Sequence, residues 1–121
     1  MNYPRIRLFE YADQDIFSLH AYEDAVLKGV SQGSLPTILF SRLGKPGISI
    51  SYKQNLGLDV DVAAAASRGV DVTRRITGGR SMYLDSRYDI VSVVLPCDSL
   101  NIDGMYSLVC GRVTKVLSEI L

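Results

Sequence analysis

The chain has 121 residues, 47% apolar and 21% charged, and its 13 Lys plus Arg are balanced by 13 Asp plus Glu. These values exclude intrinsic disorder and fibrous classes, fit one domain over residues 1–121, and supply no net field to draw the protein to nucleic acid or an anionic membrane. Cys97, Cys110 and the single histidine, His20, lack zinc-type spacing, the charged N-terminus is unlike a signal peptide, and no apolar run approaches the roughly 18–20 residues that cross a bilayer, so a cytoplasmic protein is expected.

In chain order, residues 5–11 (RIRLFEY) carry apolar side chains on both alternating faces, which predicts a strand inside a sheet. From Asp15, Phe17, Ala21, Tyr22, Ala25, Val26 and Val30 recur at helical spacing until Gly33 and Pro36, which predicts one amphipathic helix. Residues 37–42 (TILFSR) and 48–52 (ISISY) are β-rich and separated by Gly44, Pro46 and Gly47, as in a hairpin or a tight strand connection. Residues 59–67 (DVDVAAAAS) predict a short alanine-rich helix stopped by Gly69, with its aspartates near the N-terminus.

Residues 70–73, 80–84 and 90–96 predict three further strands, the last a near-continuous apolar run suited to a central, two-sided place. The final segment sets Met105, Leu108, Val109, Val113, Val116, Leu117 and Ile120 on one helical face, after Asn101 or Asp103 as cap.

Chemistry concentrates in Arg74-Arg75-Ile76-Thr77-Gly78-Gly79-Arg80, between two expected strands. Glycine lets backbone N–H groups approach an anion, and arginine offers forked, permanently charged donors, so a phosphate or carboxylate cradle fits. A type I′ or II′ hairpin turn at Gly78-Gly79 with surface arginines fits the same residues. His20 is expected as a packed or surface residue rather than a base, and Tyr22, Tyr83, Tyr88 and Tyr106 as core or rim aromatics. Asp59, Asp61 and Asp71 lack the spacing of a binding loop and are explained by capping and solvation, so no metal site is expected.

Residues 73–85, TRRITGGRSMYLD, resemble the RR-x-[ST]-GGG-x-V-x-HD motif of the lipoate-protein ligase family and related biotin and lipoate transferases. Upstream, SLHAYEDAVL is similar to the family's helix with N-x-x-x-[DE]-E, ISYKQN to its strand ending in G-x-x-Q-N, and DVDVAAAASRGVDV to its acidic helix and following G-[IV] strand. Downstream, Ser92 in DIVSVVLP stands at the matching distance. The likeness runs from about Ile6 to Leu121.

The resemblance implies an α+β fold with a mixed, mostly antiparallel sheet packed with helices, similar to the catalytic core of class II aminoacyl-tRNA synthetases and biotin ligases, here as a partial domain. It implies ATP-dependent activation of lipoate, or octanoate, to an acyl-adenylate, then transfer to a lysine of a lipoyl carrier domain; Mg²⁺ is compatible with such a nucleotide site. Arg74, Arg75, Thr77 and the segment Arg80, Ser81, Met82 and Tyr83 would lie against ATP or lipoyl-adenylate. Gly78 and Gly79 would shape the pocket, and Gln54 and Asp85 would support it.

Arg80 replaces the motif's third glycine, Leu84 its histidine, Ile90 a frequent asparagine, and Ser51 the glycine before Tyr52-Lys53-Gln54. None of Lys45, Lys53 and Lys115 matches the family's N-D-[IVL]…K-[IVL]-x-G stretch, so the catalytic lysine is expected outside this chain, on a second polypeptide. Two other readings stay open: a non-catalytic binding or interaction module on the same scaffold, and an ATP-independent octanoyl or lipoyl transferase, which would need a nucleophilic cysteine. The choice among lipoyl, octanoyl and biotinyl groups also stays open.

Overall fold

The computed structural model describes residues 3–97 and 101–121. In order it contains β1 (Arg7–Gln14), α1 (Ile16–Ser31), β2 (Thr37–Leu43), β3 (Gly47–Ile50), α2 (Leu56–Asp59), α3 (Val62–Ser67), β4 (Asp71–Arg74), β5 (Met82–Leu84), β6 (Ile90–Val94) and α4 (Ile102–Ile120). The strands form two three-stranded sheets, ordered β1-β2-β6 and β4-β3-β5. Each middle strand pairs parallel on one side, β2 with β1 and β3 with β4, and antiparallel on the other, β2 with β6 and β3 with β5. The fold class is therefore α+β with mixed sheets, as expected.

The structure decides three local readings. The turn at Gly44 to Pro46 carries the chain from one sheet to the other, so β2 and β3 are joined by a tight connection and not a hairpin. The Gly78-Gly79 segment is no hairpin turn either, because β4 and β5 lie on opposite sides of β3. The alanine-rich stretch forms a short helix as expected, α3, which starts at Val62 because Val60 is extended (φ −139°, ψ 128°) and Asp61 caps it by accepting from the Ala64 N–H at 2.9 Å; a separate turn of helix, α2, capped by Asn55, precedes it.

Both strands expected inside a sheet lie at the margins of theirs. β1 leaves Leu8 64% exposed, and β6 is only half buried. Their two-sided apolar content, legible in sequence, is not matched by partners within the described residues.

The core sits where α1 meets both sheets. Ile16 and Leu19 of α1 pack with Leu43 of β2, and Leu84 of β5 and Ile90 of β6 close around them. Asp15 starts the helix by accepting from the Ser18 N–H at 2.7 Å, and its carboxylate is held below the usual range first by that bond. Close approach depends on Gly47, since a Cβ there would lie 2.8 Å from three side-chain carbons of Ile16.

The buried face of α1 is Ile16, Leu19, His20 and Val30, with Phe17 and Tyr22 exposed, so it is rotated from the stripe read by apolar spacing. The cause is that this face carries polar His20 and Glu23 towards the interior, which a count of apolar residues passes over. α4 follows its Asn101 cap as expected, yet buries none of its residues and exposes Val113, Val116, Leu117 and Ile120. Among the described residues no helix is long and apolar enough to cross a membrane.

Candidate functional site

The chain between β4 and β5 is shaped by Arg75, which is 9% exposed. Its Nε and Nη2 donate to the Gly78 carbonyl at 3.2 and 2.7 Å, and Nη2 also donates to the Arg80 carbonyl at 2.8 Å. Its Nη1 donates to the Ser49 carbonyl and Oγ on β3, at 3.3 and 3.0 Å. Burial pulls the Arg75 pKa down, and Glu23 opposes this. Arg74 does similar work one loop away: its Nη1 donates to the carbonyls of Ser51, Tyr52 and Gln54.

Both guanidinium groups are thus engaged with backbone carbonyls. That arrangement has a consequence for the opposite edge of each peptide. The Thr77 carbonyl accepts from the Tyr52 N–H, while those of Gly78 and Arg80 accept from Arg75. Among the described residues no peptide bond is cis. In a planar trans peptide the N–H points opposite to the C=O, so the N–H groups of Gly78, Gly79 and Ser81 face away from these anchors. None of the three has a hydrogen-bond partner among the described residues. Outward-facing donors on one short loop can receive the oxygens of an anion.

Gly79 is indispensable to this geometry for two reasons. Its φ is +98°, and a Cβ on it would come within 2.9 Å of Arg75 Nη2. Arg80, next in the chain, is exposed, and alone of the three arginines its guanidinium makes no hydrogen bond or ion pair among the described residues. Gln54 braces the loop: its Oε1 accepts from the Ser51 N–H at 2.9 Å and its Nε2 reaches Ser81 Oγ at 3.4 Å.

Beside the loop, between α1 and the two sheets, lies a cavity of about 580 Å³. Thr77 and Met82 line it from the loop side, Leu84, Ile90 and Met105 contribute apolar wall, and His20, Glu23, Ser49 and Ser92 supply polar groups. Ser49 Oγ accepts from Arg75 and shares a second hydrogen bond with His20 Nε2, 3.0 Å away, whose direction follows the histidine tautomer. His20 Nδ1 is buried without a partner among the described residues. Burial, then the charge of Arg75, lowers the His20 pKa, against Asp24.

Glu23 behaves oppositely. Burial raises its carboxyl pKa, and Asp24 adds to the rise, while the hydroxyl of Ser92 donates to Glu23 Oε1 and lowers it. A smaller cavity of about 400 Å³ lies against α3, lined by Ser81, Met82 and Tyr83 together with Ile48, Ala65 and Arg68. Among the described residues no lysine lines either cavity.

The structure therefore brings Arg75, Thr77, Gly78, Gly79, Arg80, Ser81 and Met82 together around one loop, with Tyr83 and Gln54 at its sides. Asp85 stands apart: Arg87 donates to both of its carboxylate oxygens, and this pairing holds its pKa down. Sequence reasoning gave no site role to four lining residues: His20 was expected as a packed or surface residue, Ser92 was noted only for its motif spacing, and Glu23 and Ser49 were not singled out. The signal available for two of them was polarity at positions 20 and 23 on the helix face that carries Ile16 and Leu19.

A match to the lipoyl protein ligase A/B catalytic domain covers residues 15–120. The chain belongs to this family. It is 33% identical over 89 residues to an octanoyltransferase LipM from Moorella thermoacetica, covering 71% of this chain and 33% of that protein. The structure of the bi-partite lipoate protein ligase from Thermoplasma acidophilum, studied with its E2 lipoyl domain, is similar with a TM-score of 0.74 and 28% identity, over 83% of this chain and 39% of that one. A lipoate-protein ligase A bound with ATP matches with a TM-score of 0.72 and 28% identity, over 84% and 40%. The lipoyl ligase-like chain thus spans between about a third and two fifths of these relatives.

Proposed function

We propose that this chain forms the nucleotide- and acyl-facing part of a lipoate-protein ligase, working with a second polypeptide that carries the lysine of the site. The observation that carries the proposal is the row of unpartnered N–H groups at Gly78, Gly79 and Ser81, beside a cavity of about 580 Å³ with apolar walls. In the reaction a carboxylate oxygen of the acyl substrate attacks the α-phosphorus of ATP, pyrophosphate leaves, and the carrier lysine then displaces AMP from the acyl carbon. Charge develops on phosphate oxygens in the first step, and fixed amide donors stabilise it without reorganisation.

In this scheme Arg75 acts by holding the loop carbonyls inward, Arg74 by holding the preceding loop, and Gln54 by bracing Ser81. Thr77, Met82 and Tyr83 border the substrate, and Asp85 anchors the turn after β5. The cavity takes the apolar chain of lipoate or octanoate, and Mg²⁺ accompanies the nucleotide. Likeness to a bi-partite ligase, the lack of a lysine at either cavity, and the apolar side chains exposed along α4 support the second subunit. A lipoyl carrier domain is the acceptor.

The test is purification of the chain from its native cells under mild conditions, followed by assay of the preparation with ATP and lipoate. Lipoyl-adenylate should form, and only when a second polypeptide co-purifies. A monomeric chain that binds neither ATP nor lipoate sinks the proposal.

Similarity to LipM octanoyltransferases favours a second reading, acyl transfer without ATP. Cys97 and Cys110 are both exposed and neither lines the two cavities described above, so in this reading the nucleophile would come from elsewhere. Octanoyl transfer from a thioester donor in the absence of ATP distinguishes this reading.

A further inference from the structure

We infer that Arg80 is the one arginine of the loop that contacts the phosphates of a bound nucleotide, and so sets the loop's preference for multiply charged anions. The inference rests on the nucleotide reading above and reverses what the Arg74-Arg75 pair suggests in sequence. Arg74 and Arg75 hold backbone carbonyls with their guanidinium groups. Arg80 holds nothing among the described residues, and its backbone is fixed because its own carbonyl is bound by Arg75 Nη2. The side chain therefore springs from an anchored point, between the N–H groups of Gly79 and Ser81.

No carboxylate pairs with Arg80 among the described residues: Asp85 is paired with Arg87, Asp71 with Lys45 and Asp89 with Arg42, while Asp59 and Asp61 line the small cavity together with Ser81. Amide donors alone favour any acceptor oxygen. Adding a mobile, permanently charged fork selects a polyphosphate over a neutral or singly charged group, since charge-assisted bonds are about twice as strong as neutral ones. The Arg80 side chain is exposed and makes no hydrogen bond or ion pair among the described residues, so its removal should leave the fold intact.

The experiment is calorimetric titration of the full chain with ATP and with inorganic pyrophosphate at several ionic strengths, for the wild type, Arg80→Gln and Arg80→Lys. Arg80→Gln should weaken both ligands by about tenfold or more, with a flatter salt dependence, and leave the melting temperature unchanged. Arg80→Lys should keep the salt dependence and recover part of the affinity. Equal binding by wild type and Arg80→Gln overturns the role of Arg80 while leaving the nucleotide reading intact. Absence of ATP and pyrophosphate binding by the wild type overturns both, and a lower melting temperature for Arg80→Gln contradicts the free guanidinium.

Discussion

Replacing Arg75 by alanine separates a loop-building role from a ligand-binding one. Five hydrogen bonds are removed, two of them to Ser49, which is 1% exposed, and three to carbonyls of an exposed loop. The loop carbonyls regain water, so their loss is small, whereas bonds from a charged donor to a buried group are worth about 1.5–3 kcal/mol each. Some of this is returned because the guanidinium no longer has to be desolvated. The net expectation is a destabilisation of about 3 kcal/mol, which for a chain of this size lowers the melting temperature by roughly 10 °C. Thermal unfolding followed by circular dichroism, without any ligand, measures it. The His20 pKa should rise at the same time, since the Arg75 charge helps to lower it. Arg75→Lys should keep His20 depressed while losing most of the stability, because an ammonium cannot replace the fork. A melting temperature for Arg75→Ala within about 2 °C of wild type, with unshifted amide resonances at residues 78–81, would refute the structural role.

Gly79→Ala meets both a left-handed φ and the Arg75 guanidinium, so it should cost about 1–3 kcal/mol in unfolding free energy and weaken ATP binding with it. Asp15→Ala should lower the denaturant midpoint, with the loss confined to the start of α1. Acidification has a sign fixed by His20, whose folded pKa lies below its usual 6.5. Its contribution to stability is present above 6.5 and is lost as the pH falls from there towards the folded value. Glu23 opposes it with a folded pKa above 4.5, so its contribution is lost as the pH rises through 4.5 towards the folded value. His20→Gln should therefore flatten the decline in melting temperature on the acid side of 6.5, and an unchanged decline would show that another group drives it.

Much of the architecture was legible because it follows from local rules. Asp15, Asp61 and Asn101 cap helices as their residue types suggest, and six strands form close to the expected segments. Pairing was not legible. Gly78-Gly79 looks like a hairpin turn because adjacent strands are the usual partners of such a turn, yet β3 inserts between β4 and β5. The buried face of α1 was displaced because His20 and Glu23 go inward, where Ser49 and Ser92 meet them from other elements. Such bonds join residues 29 and 69 positions apart, and nothing in a periodic pattern encodes them. At the site, the sequence shows which residues share one loop but not what its arginines meet: fork-shaped donors suit carbonyls as well as phosphates, and Arg74 and Arg75 meet carbonyls.

The central claim is that the loop presents the amides of Gly78, Gly79 and Ser81 to a nucleotide. Titration of the nitrogen-15-labelled chain with ATP, followed by amide resonances, tests it most directly. The account predicts that these three amides move downfield together, with a common dissociation constant and ahead of any change in α4. Saturating ATP that leaves them unmoved, or that perturbs another surface in their place, would contradict it.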